Sequence, residues 1–184
     1  MRIQLFALLL LVFAACSDEA ERRYAPHQAF FRFSPVTAVQ PLHAALGNPG
    51  LWCTVDYDAH HYLFSNASGN IVPYPRTALD AYGRPHSIAG FIVGTPRLPD
   101  VSGNFEPLAY DRACPSCYES AYIERPLHLA PDRPDEAHCL RCRRTYDLAI
   151  GSPTNAPNDG QHNARLYRYR LVSNIAGDVF IIQN

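Results

Sequence analysis

Two closely spaced pairs of cysteines constrain this chain more than any other feature of its sequence. Cys114 and Cys117 form one C-x2-C pair, and Cys139 and Cys142 form a second pair after 21 intervening residues. Two residues between cysteines let both sulfurs turn toward one ion, and two such knuckles supply the four thiolates of a closed tetrahedral site. The spacing predicts one metal centre held by loops at about residues 112–147, and zinc and iron both suit four thiolates.

Disulfide bonding is the main alternative for these four cysteines, because a compartment outside the cytoplasm favours oxidation. A thiol–disulfide redox pair at Cys114 and Cys117 is a further alternative, but that chemistry needs a helix that begins at the first cysteine. Residues 118–123 show no helical pattern. The second cysteine pair also has no role in such a mechanism.

Charged residues and histidines stand beside both knuckles. Four thiolates around a divalent ion leave about two negative charges, which nearby arginines could compensate. His138 and His128 could replace a ligand or donate to a sulfur, although four cysteines already complete a site. Cys53 lies in an apolar segment and is predicted to be a buried, inert thiol. The side chains predicted to surround the centre are Arg112, Arg141, Arg143, Arg144 and His138.

The start of the chain predicts export and a lipid anchor. Residues 1–15 carry Arg2 and then an apolar run that is too short to span a bilayer. Ala14, Ala15 and Cys16 resemble the lipobox of bacterial lipoproteins, in which the cysteine is acylated and becomes the first residue of the mature protein. An ordinary secretory signal with an accidental cysteine is the alternative. Residues 17–28 are predicted to be a flexible tether, and the resemblance implies an outer-membrane lipoprotein that faces the periplasm or the cell surface.

The apolar residues predict a mostly β protein with one domain at residues 29–184. They come in short runs rich in Val, Ile, Tyr and Phe, between 16 prolines and 10 glycines. Only residues 41–46 show a helical pattern, with Pro41 at the start and Gly47 after the end. The formal charge of -1 gives no reason to expect a nucleic acid or an anionic membrane surface as a partner. The predicted strands are residues 51–57, 61–66, 88–94, 105–111, 127–129, 145–148, 166–172 and 178–182.

The segments after the second knuckle resemble the second cluster loop of Rieske iron–sulfur proteins. In that family a cysteine-containing loop is followed by an aromatic residue and Asp, a glycine turn, a proline-rich stretch and a closing strand. Tyr146 and Asp147 match the aromatic residue and Asp here. The resemblance spans about residues 88–182 and implies a Rieske-like β-sandwich with a small metal-binding subdomain like that of rubredoxin or a zinc ribbon. The segments that carry it are residues 105–114, 139–148, 151–157 and 166–169.

The ligands depart from the Rieske pattern, which places two cysteines on one iron and two histidines on the other. Cys142 stands at the second histidine position, and Ser116 stands where the first histidine would be. The expected cofactor is therefore an all-cysteine [2Fe-2S] cluster, a single iron or zinc. Two functions stay open, neither of them enzymatic: electron transfer to a partner protein, or a non-redox structural or binding role in which zinc or disulfides staple the loops.

Overall fold

The structure, a computed structural model, describes residues 24–81, 83–155, 164–174 and 178–184. The predicted signal peptide, Cys16 and residues 17–23 of the predicted tether lie outside this part. Residues 24–28 of the tether lie against the domain, where Ala25 is buried and its N–H donates to the Arg168 carbonyl at 2.9 Å. None of the helices in the described ranges is long and apolar enough to cross a membrane.

Strands dominate the described residues, and the helices are short. The described residues contain two α-helices, α1 (Gln40–Gly47) and α2 (Pro115–Ala121), and 3-10 turns at Val36–Ala38 and Ala78–Ala81. The strands are β1 (Phe30–Phe33), β2 (Leu51–Tyr57), β3 (His61–Asn66), β4 (Ile71–Pro75), β5 (Phe91–Thr95), β6 (Leu108–Asp111), β7 (His128–Leu129), β8 (Glu136–His138), β9 (Thr145–Asp147), β10 (Ser152–Pro153), β11 (Arg168–Asn174) and β12 (Val179–Gln183).

These strands form one large and one small antiparallel sheet. The large sheet has eight strands in the order β1-β12-β11-β6-β5-β2-β3-β4, and the small sheet has four in the order β10-β9-β8-β7. The large sheet curls so strongly that its two edge strands meet. Phe33 on β1 contacts Tyr74 on β4, with ring centroids 4.9 Å apart. The curl produces a concave inner face and a convex outer face.

The inner face of the large sheet encloses an aromatic core. Phe31 is fully buried at its centre and contacts rings from β3, β5 and β12, with centroids 5.2 to 5.8 Å from Tyr62, Phe91 and Phe180. Helix α1 packs against this core through Leu42 and other apolar side chains. Burial of large aromatic side chains supplies most of the driving force for such a fold.

The outer face of the large sheet is also buried where the small sheet covers it. Strand β5 is buried at all five positions, so its residues alternate between the two cores rather than between core and solvent. This explains its continuous apolar sequence. The outer cluster joins residues of the large sheet to residues of the small sheet and its flanking loops: Trp52, Ile92, Leu108, Tyr110, Leu127, Ala137, Tyr146, Leu148 and Leu166.

Asp135 joins the two sheets through polar contacts. It has a positive φ of 62°, and its carboxylate accepts a 2.7 Å hydrogen bond from Trp52 Nε1. The same carboxylate accepts the Arg97 N–H, while the Asp135 carbonyl accepts the Leu148 N–H at 2.7 Å. One residue thus positions β2, the chain after β5 and the chain after β9 relative to each other.

The mostly β fold class is confirmed, and the four cysteines lie together beside the small sheet. Strands β2 and β3 have the predicted bounds, and α1 extends the predicted helix by one residue at each end. The expectation of a single helix is wrong, because α2 follows Cys114 directly. The specific Rieske-like sandwich and the boundary at residue 28 stay predictions.

Gly94 on β5 provides a test of the contact between β5 and Trp52. A Cβ at Gly94 would lie 2.5 Å from Trp52 Cδ2, whereas a Cβ at Gly47 meets nothing within 4 Å. We expect Gly94→Ala to lower the free energy of unfolding by about 1–3 kcal/mol and to shift the fluorescence of Trp52, the only tryptophan. Gly47→Ala should be neutral or stabilising. Urea unfolding that affects both variants equally would contradict the packing described for Trp52.

Candidate metal centre

The structure brings the four predicted cysteines into one cluster. Their sulfurs all lie within 4.8 Å of one another, and Cys114, Cys117 and Cys139 are buried while Cys142 is half-buried. The Sγ atoms of Cys114 and Cys142 are 3.5 Å apart, and those of Cys117 and Cys139 are 3.8 Å apart. All four are free thiols in this structure.

The first knuckle lies at the start of α2. The Cys114 N–H donates to the Arg125 carbonyl at 2.7 Å, and the Cys114 carbonyl accepts the Tyr118 N–H at 3.0 Å as the first bond of the helix. Pro115 follows as the first helical residue, a position that suits proline because that N–H has no helical partner. This turn directs the sulfurs of Cys114 and Cys117 to the same side.

The second knuckle is the turn that joins β8 to β9. His138 pairs with Thr145 across the ladder, so the hairpin loop runs from Cys139 to Arg144. The Cys139 N–H donates to the Arg144 carbonyl, and the Arg143 N–H donates to the Cys139 carbonyl, both at 2.9 Å. Arg143 takes a φ of 57° to close this turn. A β-hairpin and a helix start therefore face each other across the four sulfurs.

A pair of hydroxyl groups adjoins the sulfurs. The hydroxyls of Ser116 and Tyr146 are 2.9 Å apart, and the Tyr146 hydroxyl is 3.6 Å from Cys114 Sγ. Tyr146 is completely buried, so its hydroxyl needs these partners. Neither hydroxyl was predicted from the sequence to belong to the site. The sequence feature that could have indicated this hydroxyl pair is Tyr146, a tyrosine in the strand that follows the second knuckle.

Burial and neighbouring sulfurs oppose the ionisation of two of these thiols, Cys114 and Cys117, in the protein without a cation. Burial, followed by the Cys139 and Cys142 sulfurs, raises the pKa of Cys117 to about 11. Burial also raises the pKa of Cys114, against the lowering effect of the Cys117 N–H. At Cys139 burial is outweighed by the N–H groups of Cys142 and Arg141, and the pKa falls below its ordinary value. A bound cation would remove this mutual repulsion.

The sulfur positions fit a single tetrahedral ion. Bonds of about 2.3 Å from zinc to sulfur give a tetrahedron with edges of about 3.8 Å. The separations of 3.5 and 3.8 Å agree with such edges, and the 4.8 Å limit allows modest contraction of the others. The cluster can therefore hold a metal ion through Cys114, Cys117, Cys139 and Cys142.

The arginines predicted to surround the centre have different surroundings. The Arg112 guanidinium pairs with Asp56 and donates to the Leu127 carbonyl at 2.9 Å. Arg141 and Arg143 are exposed on the second knuckle, whereas Arg144 is almost completely buried at its end. The Arg143 N–H and the Arg144 carbonyl close the turn through the hydrogen bonds described above.

The two histidines near the knuckles face each other on adjacent strands. His128 on β7 pairs with His138 on β8, and their ring centroids are 6.0 Å apart. Cys53 is completely buried on β2 in the inner core, apart from the four clustered cysteines. The sequence predicted no helix after Cys114, and this absence was one reason against a thiol–disulfide redox pair at Cys114 and Cys117. Helix α2 removes that reason. The sulfur of Cys114 nevertheless lies close to those of all three other cysteines rather than to that of Cys117 alone.

Asp111, a fully buried carboxylate, fixes the chain that enters the first knuckle. It accepts hydrogen bonds from the Ile88, Ala89 and Ala113 N–H groups at 2.7 to 3.1 Å and from the Tyr169 hydroxyl at 3.0 Å. Ala113 directly precedes Cys114. Asp111 thus connects the inner core to the position of the first sulfur, a role that the sequence analysis missed.

Comparisons with known proteins identify no family for this chain. No protein-family model matches it, and no curated protein matches it significantly.

Replacing Asp111 tests its role in holding the first knuckle. Asp111→Asn places an amide N–H₂ among N–H donors, so we expect the free energy of unfolding to fall by about 3 kcal/mol. Tyr169→Phe removes only one of the donors and should cost about 1 kcal/mol. Chemical denaturation of both variants measures these values. Equal losses in the two variants would show that the carboxylate does not organise the three backbone groups.

Proposed function

We propose that this chain is a lipid-anchored, extracytoplasmic domain in which one metal ion, held by Cys114, Cys117, Cys139 and Cys142, staples the small sheet onto the large sheet. The observation that carries this proposal is the gathering of four sulfurs within 4.8 Å from two separate loops. The ion would neutralise the repulsion between thiolates and fix both loops at once.

The size of the small sheet supports a stapling role. Its strands are only two or three residues long, so the ladder offers few hydrogen bonds. Cys114, Cys117 and Cys139 belong to the same apolar cluster as Trp52 and Ile92 of the large sheet. Metal binding free energy at such a site adds directly to folding free energy.

The sulfur separations favour one ion over a [2Fe-2S] cluster. A binuclear cluster puts one cysteine pair on each of two irons, so sulfurs on different irons must lie further apart than the edge of one tetrahedron. The sulfurs here all lie within 4.8 Å. We therefore propose a mononuclear zinc or iron centre. The expected resemblance to the Rieske family would then lie in the loops and not in the cofactor.

Electron transfer is the second candidate function, and the position of Cys142 favours it. Cys142 is half-buried, unlike its three partners, and its neighbour Leu140 is 68% exposed. A centre with one ligand near the surface can exchange electrons with a partner protein that docks on this knuckle. This function requires iron, whereas stapling is satisfied by zinc. We propose no catalytic activity for the domain alone.

Metal content and stability together test the proposed centre. We expect purified protein to hold one metal ion per chain without inorganic sulfide, and Cys139→Ser to lose most of it with at least about 3 kcal/mol of unfolding free energy. Cys53→Ala removes a buried thiol outside the cluster and should keep the metal. Elemental analysis, sulfide assay and an absorption spectrum measure these outcomes, since iron thiolate centres are coloured and zinc is not. Two irons with sulfide would exclude the mononuclear proposal.

Processing of Cys16 tests the proposed anchor separately. Cys16→Ala removes the acylated thiol, so the variant should accumulate as an unprocessed or soluble chain. Membrane fractionation and the mass of the N-terminal peptide distinguish these forms from the lipidated protein. Cys53→Ala serves again as the matched control and should fractionate like the original chain. Unchanged processing and membrane retention of Cys16→Ala would rule out lipidation at this residue.

A further inference from the structure

We infer that a basic face on the outer side of β11 docks onto the anionic phospholipid surface beside the anchor. This basic face consists of Tyr24, Ile150, Arg165, Arg168, Arg170 and Val172. It combines arginines with exposed apolar side chains, the composition that binds headgroup phosphates and the upper acyl region together. The position of this basic face close to a membrane rests on the proposed lipid anchor, whereas its ability to bind anionic phospholipid does not.

The strand geometry directs the arginines outward. Successive residues of β11 alternate between the two faces, and Tyr169 is buried in the inner core. Arg168, Arg170 and Val172 therefore share the outer side, where Val172 is 53% exposed. The neighbouring outward positions are Ile181 and Gln183 of β12 and Phe30 and Arg32 of β1. The described outward positions of these three strands, including Asn174 and Val179, carry no acidic side chain.

The N-terminal segment is fixed on the same face. The Arg168 and Arg170 guanidinium groups lie 5.9 and 5.2 Å from the centroid of the Tyr24 ring, and the Ala25 N–H donates to the Arg168 carbonyl. Tyr24 lies eight residue steps after Cys16. A fully extended segment of that length reaches at most about 29 Å. An anchor at Cys16 therefore keeps this face close to the bilayer.

A groove beside Tyr24 adds a place for a headgroup. It has a volume of about 260 Å³, and Tyr24, Ile150, Arg165 and Arg168 contribute to its walls. Ile150 is 67% exposed at its edge. The arginine forks supply several N–H donors each, which match the oxygens of a phosphodiester. The groove therefore suits the headgroup of an anionic phospholipid.

The tether itself is the competing occupant of this face. Arg22 and Arg23 directly precede Tyr24 and add to the positive charge, but Asp18, Glu19 and Glu21 come before them. These acids could pair with the arginines of β11. Exposed pairs of this kind contribute at most about 1 kcal/mol, which an anionic membrane surface with many phosphates would outcompete.

Vesicle binding of the mature-length chain, residues 16–184 with Cys16→Ser, tests the inference without any lipid anchor. We expect co-sedimentation with vesicles of phosphatidylcholine and phosphatidylglycerol but not of phosphatidylcholine alone. Arg165→Gln with Arg170→Gln should lower the partition coefficient about thirty-fold, at about fivefold for each arginine. Both side chains are exposed, so the fold should persist.

The matched control removes the same charge elsewhere. Arg125 and Arg133 are exposed outside the basic face, so changing both to Gln should leave binding within about twofold of the original. Equal losses in the two double variants would overturn the inference, as would no binding to phosphatidylglycerol vesicles. Binding that appears only when Asp18, Glu19 and Glu21 are made neutral would identify the tether as the occupant and also overturn it. The vesicle experiment uses a chain without a lipid anchor, so its outcome does not depend on whether Cys16 is lipidated or the cysteine cluster binds a metal. A failure of this inference can therefore be distinguished from a failure of the proposed function.

Discussion

The contact between the outer face of the large sheet and the small sheet is the interaction on which the rest of the structure depends. The central strands of the large sheet are buried on both sides, because the aromatic core fills the inner face and the small sheet covers the outer face. Two-residue strands cannot form a stable sheet alone. The small sheet exists because Trp52 and Ile92 provide an apolar surface for it, and Asp135 fixes its orientation on that surface.

The cysteine cluster belongs to this contact rather than to a separate lobe. Cys114 follows β6 of the large sheet, whereas Cys139 follows β8 of the small sheet. Asp111 holds the first of these positions through the Ala113 N–H, and the hairpin bonds between Cys139 and Arg144 hold the second. Because each knuckle is set by a different sheet, an ion shared by both knuckles couples the packing of the two sheets. Loss of the ion should then loosen the small sheet before the aromatic core.

The sequence predicted the parts of the fold that depend on local pattern and missed those that depend on distant contacts. Strands β2 and β3 show strong β-forming runs, and the C-x2-C spacing was enough to predict the cysteine cluster. Strand β4 contains two prolines and β8 only three residues, so neither has a local signal. Helix α2 has a weak pattern and is fixed by the turn at Cys114. Asp111 and Asp135 also bind partners more than twenty residues away, such as Ile88 and Trp52, and periodicity cannot reveal these contacts.

The choice between a metal and disulfides changes the chemistry of the centre more than its mechanical role. Two pairs of sulfurs in close contact, Cys114 with Cys142 and Cys117 with Cys139, each join different knuckles. Either a bound ion or disulfide bonds within these two pairs would join the start of α2 to the β8–β9 hairpin. The two loops would therefore stay connected in an oxidising compartment as well. Four sulfurs at similar mutual distances nevertheless favour an ion, since disulfides would shorten two contacts and leave the others unsatisfied. A metal would also keep the thiols as bound thiolates, which would protect them from oxidation in the extracytoplasmic compartment that we propose.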